Sequence, residues 1–209
     1  SIHTEVENAL ATFFKTPSAL LFNSGYDANL GLLSCVPQRG DIILYDELCH
    51  ASIRDGIQLS NAMSYGFKHN TLSDLEKKYL NTKKASATTY IVVESIYSMD
   101  GDRALLKEFS KFCSTHSCYL IVDEAHATGV FGTQGKGLVD ELCLGGSIFA
   151  RIVTFGKALG CHGAVVLGSE ELRDYLINFS RPFIYTTAMP IQAVLTLKFA
   201  IKELETTDQ

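Results

Sequence analysis

The segment Thr154-Phe155-Gly156-Lys157-Ala158-Leu159-Gly160 sets one lysine on a tight turn between two apolar runs, 151–155 and 164–167. Lysine is ordinarily kept in solvent, because desolvating its ammonium is costly. At such a turn it can lose its proton and act as an amine nucleophile toward a carbonyl. On spacing alone a snorkelling lysine at a strand end fits better. A second segment overturns that preference. Tyr119-Leu120-Ile121-Val122 reads as a buried strand ending in Asp123, with His126 three residues on. Ligands in open α/β sheets gather outside the carboxyl ends of the strands. Asp123, His126 and Lys157 therefore face one crevice.

A carboxylate, a histidine and a lysine at strand ends suit pyridoxal 5'-phosphate. The lysine holds the aldehyde as a Schiff base, and the aspartate pairs with the protonated pyridine nitrogen.

The elements that must position these groups are legible in outline. Residues 2–14 predict an amphipathic helix with Val6, Leu10, Phe13 and Phe14 on one face. Ala19-Leu20-Leu21-Phe22 predicts a short strand, and Asn23-Ser24-Gly25-Tyr26 opens a helix running through Leu33. A polar cap with a glycine at a helix start leaves backbone N–H groups free, a ready phosphate site. A plain capped helix fits the same letters. Residues 41–45 read as a strand, with His50 at the turn into a helix over 51–59. A strand over 63–67 precedes Ser73-Asp74-Leu75-Glu76, read as a capping box for a helix to Tyr79. The β-branched run 88–93 is a strand ending at Glu94, and 107–116 is a helix. Residues 194–204 are helical.

Residues 128–137 are glycine-rich, but they lack the spacing of a Walker loop, GxxxxGK followed by Ser or Thr. Asp123-Glu124-Ala125-His126 is therefore not read as part of an NTPase. The glycine-rich segment reads as a mobile active-site or subunit-contact loop.

Strand and helix signals alternate throughout the 209 residues, which predicts an α/β domain. A net charge of −5 argues against nucleic acid as a partner. No apolar run approaches the ~18 residues of a membrane span, and no secretory signal is visible. The six cysteines form no CxxC or Cys/His cluster. No metal site is expected, and free thiols in a cytoplasmic setting are.

Six segments carry a more specific likeness. Ser24-Gly25-Tyr26, Asp46 through Gly56, Glu94 through Asp102, Asp123 through Gly129, Thr154 through Gly160 and Arg181 through Pro190 occur in an order that resembles the α-oxoamine synthases, a branch of the fold-type I pyridoxal-phosphate enzymes. Each segment is weak singly. Six in order, covering almost the whole chain, are very specific.

The resemblance implies a three-layer α/β sandwich with a mostly parallel central sheet, the large domain of that fold. Residues 1–209 would be the cofactor-binding domain, without an N-terminal segment and most of a C-terminal small domain. The arginine that grips the amino-acid carboxylate would lie in that missing part. It also implies roles. Lys157, Asp123 and His50 are catalytic, with His50 stacked on the pyridine ring. His126 meets the ring's phenolic oxygen. Ser24, Gly25 and Tyr26 cradle the phosphate, and Thr154 meets the phenolic oxygen or the phosphate. Ser98 and, more weakly, Glu94 lie near the cofactor or substrate. Tyr185, Thr186 and Thr187 reach a neighbouring subunit's phosphate, so the site belongs to a homodimer.

The implied reaction is decarboxylating condensation of an amino acid with an acyl-CoA or acyl-carrier-protein thioester. The wording at 125–129 and 154–158 resembles most the biotin-biosynthetic branch, which joins L-alanine to a pimeloyl thioester. Glycine C-acetylation and serine palmitoylation are the alternatives within the family. A transaminase, or an inactive truncated chain that keeps the fold, are alternatives of other classes.

Overall fold

A computed structural model describes residues 1–206. In chain order its elements are α1 (Ile2–Phe13), β1 (Ser18–Phe22), α2 (Gly25–Cys35), β2 (Ile42–Asp46), α3 (Ala51–Leu59), β3 (Met63–Phe67), α4 (Leu72–Thr82), β4 (Thr89–Glu94), α5 (Leu106–His116), β5 (Tyr119–Asp123), α6 (Leu138–Glu141), β6 (Ala150–Thr154), β7 (Ala164–Gly168), α7 (Glu170–Phe179), α8 (Arg181–Ile184) and α9 (Ile191–Thr206).

Among the described residues the strands form one seven-stranded sheet in the order β1-β7-β6-β5-β4-β2-β3. Strands β2 through β6 pair in parallel, and β7 runs antiparallel to both β6 and β1. The register aligns the strand ends. Glu94 lies opposite Asp123, and Asp123 opposite Ile152. Asp46 closes β2 beside them. Three carboxylates therefore finish three neighbouring strands on one edge.

The inner strands are apolar on both faces because both faces are covered, whereas the edge strand β3 is partly exposed. Val92, Ile121, Ile152 and Val166 pack under α2, α3 and α7. Ile91, Val93, Leu120 and Val122 pack against α4 and α5 on the other face. Val153 and Val165, also on that second face, meet α1 and α9. Three layers follow from this alternation. Ile91, Val92, Val93, Leu120, Ile121 and Val122 are all fully buried. Each such side chain contributes roughly 1.5–3 kcal/mol over its exposed state.

Two local readings change. Helix α4 starts at Leu72 with Thr71 at its cap and no side-chain cap bond. Asp74 instead accepts from the Lys68 N–H at 2.8 Å, so the capping box is not formed. Helix α7, unread in the sequence, is capped by Ser169 with Glu170 and Glu171 in its first turn. The glycine-rich segment folds onto itself through backbone hydrogen bonds. Gly129 N–H donates to Gly135 C=O at 2.7 Å and Gly137 N–H to Phe131 C=O at 2.6 Å. Beneath it the buried Glu124 carboxylate accepts from Val139 N–H at 3.0 Å and pairs with Arg151. The glutamate after Asp123 thus has a structural use.

Candidate functional site

A cavity of about 300 Å³ opens at the carboxyl edge of the sheet, at the small end of the range for small-molecule sites. Asp123, Lys157, His50, Ser24, Gly25, Tyr26 and Thr154 all line it, on four different segments.

Asp123 is 4% exposed. One carboxylate oxygen accepts from Ala125 N–H at 2.9 Å, and the other from the Asn29 side-chain amide at 2.7 Å. Lys157 projects from the turn between β6 and β7, and its Nζ lies 2.5 Å from His126 Nε2. Burial lowers the Lys157 pKa from its ordinary value, while the charges of Asp123 and Glu94 work to raise it. Burial also lowers that of His126, with the Lys157 charge adding to the effect.

His50 caps the N-terminus of α3, its ring Nδ1 accepting from Ser52 N–H at 3.2 Å. Its own N–H donates to the Glu94 carboxylate at 2.6 Å. Glu94, 2% exposed, is pushed up to about 7, first by burial and then by the charge of Asp123.

The expected phosphate cradle is the start of α2. Ser24 Oγ accepts from Asp27 N–H at 3.0 Å and donates to the Asp27 carboxylate at 2.8 Å, so its hydroxyl is already committed. The backbone N–H groups of Gly25 and Tyr26 are the free donors there. At the N-terminal end of an eleven-residue helix they suit an anion. Gly25 presses against Thr154, whose Cγ2 occupies the place a Cβ would take. Among the described residues Thr154 Oγ1 is buried without a partner, as is Asn29 Oδ1. A donor hydroxyl and free helix N–H groups beside a buried carboxylate and an amine fit pyridoxal phosphate in size and chemistry.

Other expected residues lie elsewhere. Ser98 is exposed on the loop after β4 and does not line the cavity. Thr186 and Thr187 are also outside it. Asn23 donates to Thr186 Oγ1 at 3.1 Å and to Thr187 C=O at 2.8 Å, which ties that exposed segment to the entry of α2. Tyr185 is exposed beside them. Lining side chains not anticipated as site residues include Asn29, Ser52 and His162. For Asn29 the signal was available, since asparagine is a poor helix former and sits here among apolar neighbours in α2.

Curated and solved proteins are similar to this chain in sequence and fold. The 8-amino-7-oxononanoate synthase of Emericella nidulans is 45% identical over 96% of this chain and 52% of its own length. A solved serine palmitoyltransferase from S. paucimobilis, with bound PLP–myriocin aldimine, superposes with a TM-score of 0.93 at 36% identity, over 98% of this chain and 51% of that one. An 8-amino-7-oxononanoate synthase from Francisella tularensis gives 0.84 at 34% identity, over 99% and 59%. The chain spans about half the length of the curated relatives it matches. The profile of the family described as aminotransferase class I and II matches residues 1–209 from end to end, and the chain belongs to that family.

Proposed function

We propose that this chain binds pyridoxal phosphate at the sheet-edge cavity and carries the cofactor half of an α-oxoamine synthase. Its reaction is the condensation of L-alanine with a pimeloyl thioester, with loss of carbon dioxide, as in 8-amino-7-oxononanoate synthase. The observation that carries the reading is the convergence of Lys157, Asp123 and the α2 N-terminus on one cavity. The name of the 45% identical relative supports the choice of substrates.

When bound, pyridoxal phosphate supplies an aldehyde and a protonated pyridine ring that withdraws electrons from an amino acid's α-carbon. Asp123 holds the proton on that ring nitrogen. The Ala125 N–H and the Asn29 amide hold that carboxylate in place. Lys157 supplies the amine, and its lowered pKa enlarges the neutral fraction that can attack a carbonyl. The same amine would be the base facing the substrate α-carbon proton. His126, at hydrogen-bond distance, can pass that proton on. The N–H groups of Gly25 and Tyr26 anchor the phosphate, and His50 forms a wall of the cavity. A homodimer in a cytoplasmic setting fits the reading. Among the described residues no helix is long and apolar enough to cross a membrane.

A second reading, serine palmitoylation, is favoured by the higher TM-score of the serine palmitoyltransferase. Visible absorption with added pyridoxal phosphate tests both. A band present in the parent and absent from Lys157→Ala supports the cofactor site. Perturbation strongest with L-alanine supports the first reading, and strongest with L-serine the second. The absence of any band overturns the cofactor site.

A further inference from the structure

Asp123 and His50 stand on different strand ends, yet two buried side chains connect them. Asn29, 2% exposed, spends both amide hydrogens, one on Asp123 Oδ2 at 2.7 Å and one on Ser52 Oγ at 3.0 Å. The amide cannot be turned over, because its oxygen would then face a carboxylate oxygen. Ser52, 1% exposed, therefore accepts through Oγ and has its hydroxyl hydrogen left for one further acceptor. That acceptor is His50 Nδ1, at 2.8 Å. The Ser52 backbone N–H points at the same ring nitrogen from 3.2 Å. A nitrogen that receives two donors carries no proton of its own.

We propose that Asn29 and Ser52 are positioning residues, a relay that orients outward from the Asp123 carboxylate and holds the His50 ring as its Nε2–H tautomer. Among the described residues nothing accepts from that Nε2–H. The ring lines the cavity, so this N–H is the hydrogen-bond donor His50 offers to an oxygen acceptor on a bound molecule. The polarity starts at Asp123: its carboxylate oxygen fixes the amide, the amide fixes the hydroxyl, and the hydroxyl fixes the ring. This extends the site proposed above, but the relay is present without cofactor and can be tested without it.

The test is long-range proton–nitrogen NMR of the cofactor-free protein labelled with nitrogen-15 histidine, at a pH where His50 is neutral. His50 is assigned by the signal lost in His50→Gln. The parent is expected to show Nδ1 as the bare nitrogen and Nε2 as the protonated one. Ser52→Ala removes one of the two donors to Nδ1, and the Nδ1–H fraction should rise about fivefold, the usual worth of one hydrogen bond. Asn29→Ala leaves the hydroxyl undirected and should move the ratio in the same sense by less. An Nδ1–H tautomer in the parent overturns the relay. So does a tautomer ratio unchanged in both variants while circular dichroism shows them folded. Adding pyridoxal phosphate to the same samples separates the two proposals. A correct tautomer with no visible band leaves the relay standing and removes the cofactor reading.

Discussion

Lys157 Nζ and His126 Nε2 lie 2.5 Å apart, two basic nitrogens at hydrogen-bond distance. Burial lowers the pKa of both, and the Lys157 charge lowers that of His126 further. Two cations that close repel, so a proton on one disfavours a proton on the other. In the cofactor-free Lys157→Ala variant that repulsion is gone. His126 should then titrate at higher pH than in the parent, read from histidine nitrogen shifts. An unchanged titration would mean that the two groups do not share a proton.

Asp123→Asn tests the carboxylate from a different side. Both Asp123 oxygens accept hydrogen bonds, from Ala125 N–H and Asn29. An amide has only one oxygen, so one of those donors must face an NH₂ group. Leaving a buried donor unmet costs about 1–3 kcal/mol. Chemical denaturation should register that loss. The visible band with pyridoxal phosphate should persist while turnover falls by about 10²–10³-fold, the range for losing one charge-stabilising contact. Normal turnover would remove Asp123 from the ring nitrogen.

Gly25→Ala places a methyl group where Thr154 Cγ2 already lies. The start of α2 must shift, and the Gly25 and Tyr26 N–H groups move with it. Affinity for pyridoxal phosphate is expected to fall at least about tenfold, the equivalent of ~1.4 kcal/mol. Thr154→Ser removes the obstructing methyl and keeps the hydroxyl. Combined with Gly25→Ala it should restore most of the affinity in an absorbance titration. Failure of that rescue would place the defect elsewhere.

Glu94 carries a pH signature. Burial first, and Asp123 second, push its carboxyl up to about 7 from an ordinary 4.5. Between those values the folded chain holds a proton that the unfolded chain has released. Stability is therefore fully present below the lower value and is lost as pH rises through the upper one. Glu94→Gln removes this titration and keeps an oxygen for the His50 N–H. Urea midpoints should show a flatter profile for the variant, and a gain of about 1–2 kcal/mol over the parent above neutrality. Parallel profiles would contradict the shift.

Much of the fold was legible because its strands are buried on both faces and read as apolar runs. The runs around Val92, Ile121 and Ile152 lie close to where they were expected. Direction was not legible. An apolar run reads the same whichever way it points, and nothing in 164–167 announces that β7 is reversed. Helix α7 was missed because its exposed face breaks up the apolar stripe, although Ser169 followed by two glutamates is an N-terminal signal. At the site, Lys157 and Asp123 followed from residue type at strand ends; His126 lies beside Lys157 but does not line the cavity. Asn29 and Ser52 could not be found that way. They act through bonds spanning 94 and 23 positions, which only the folded chain brings together.

The reversal of β7 has a mechanical consequence for Lys157. A parallel neighbour would have required a crossover of about a dozen or more residues. Instead, residues 155–163 close on themselves: Phe155 N–H bonds Gly163 C=O at 2.9 Å, and Cys161 N–H bonds Phe155 C=O at 2.8 Å, with Phe155 fully buried. The lysine is mounted on a fixed post, not on a swinging arm. Whatever distance its amine travels between gripping one partner and yielding it is covered by torsions of its own aliphatic stem, while the backbone beneath stays still.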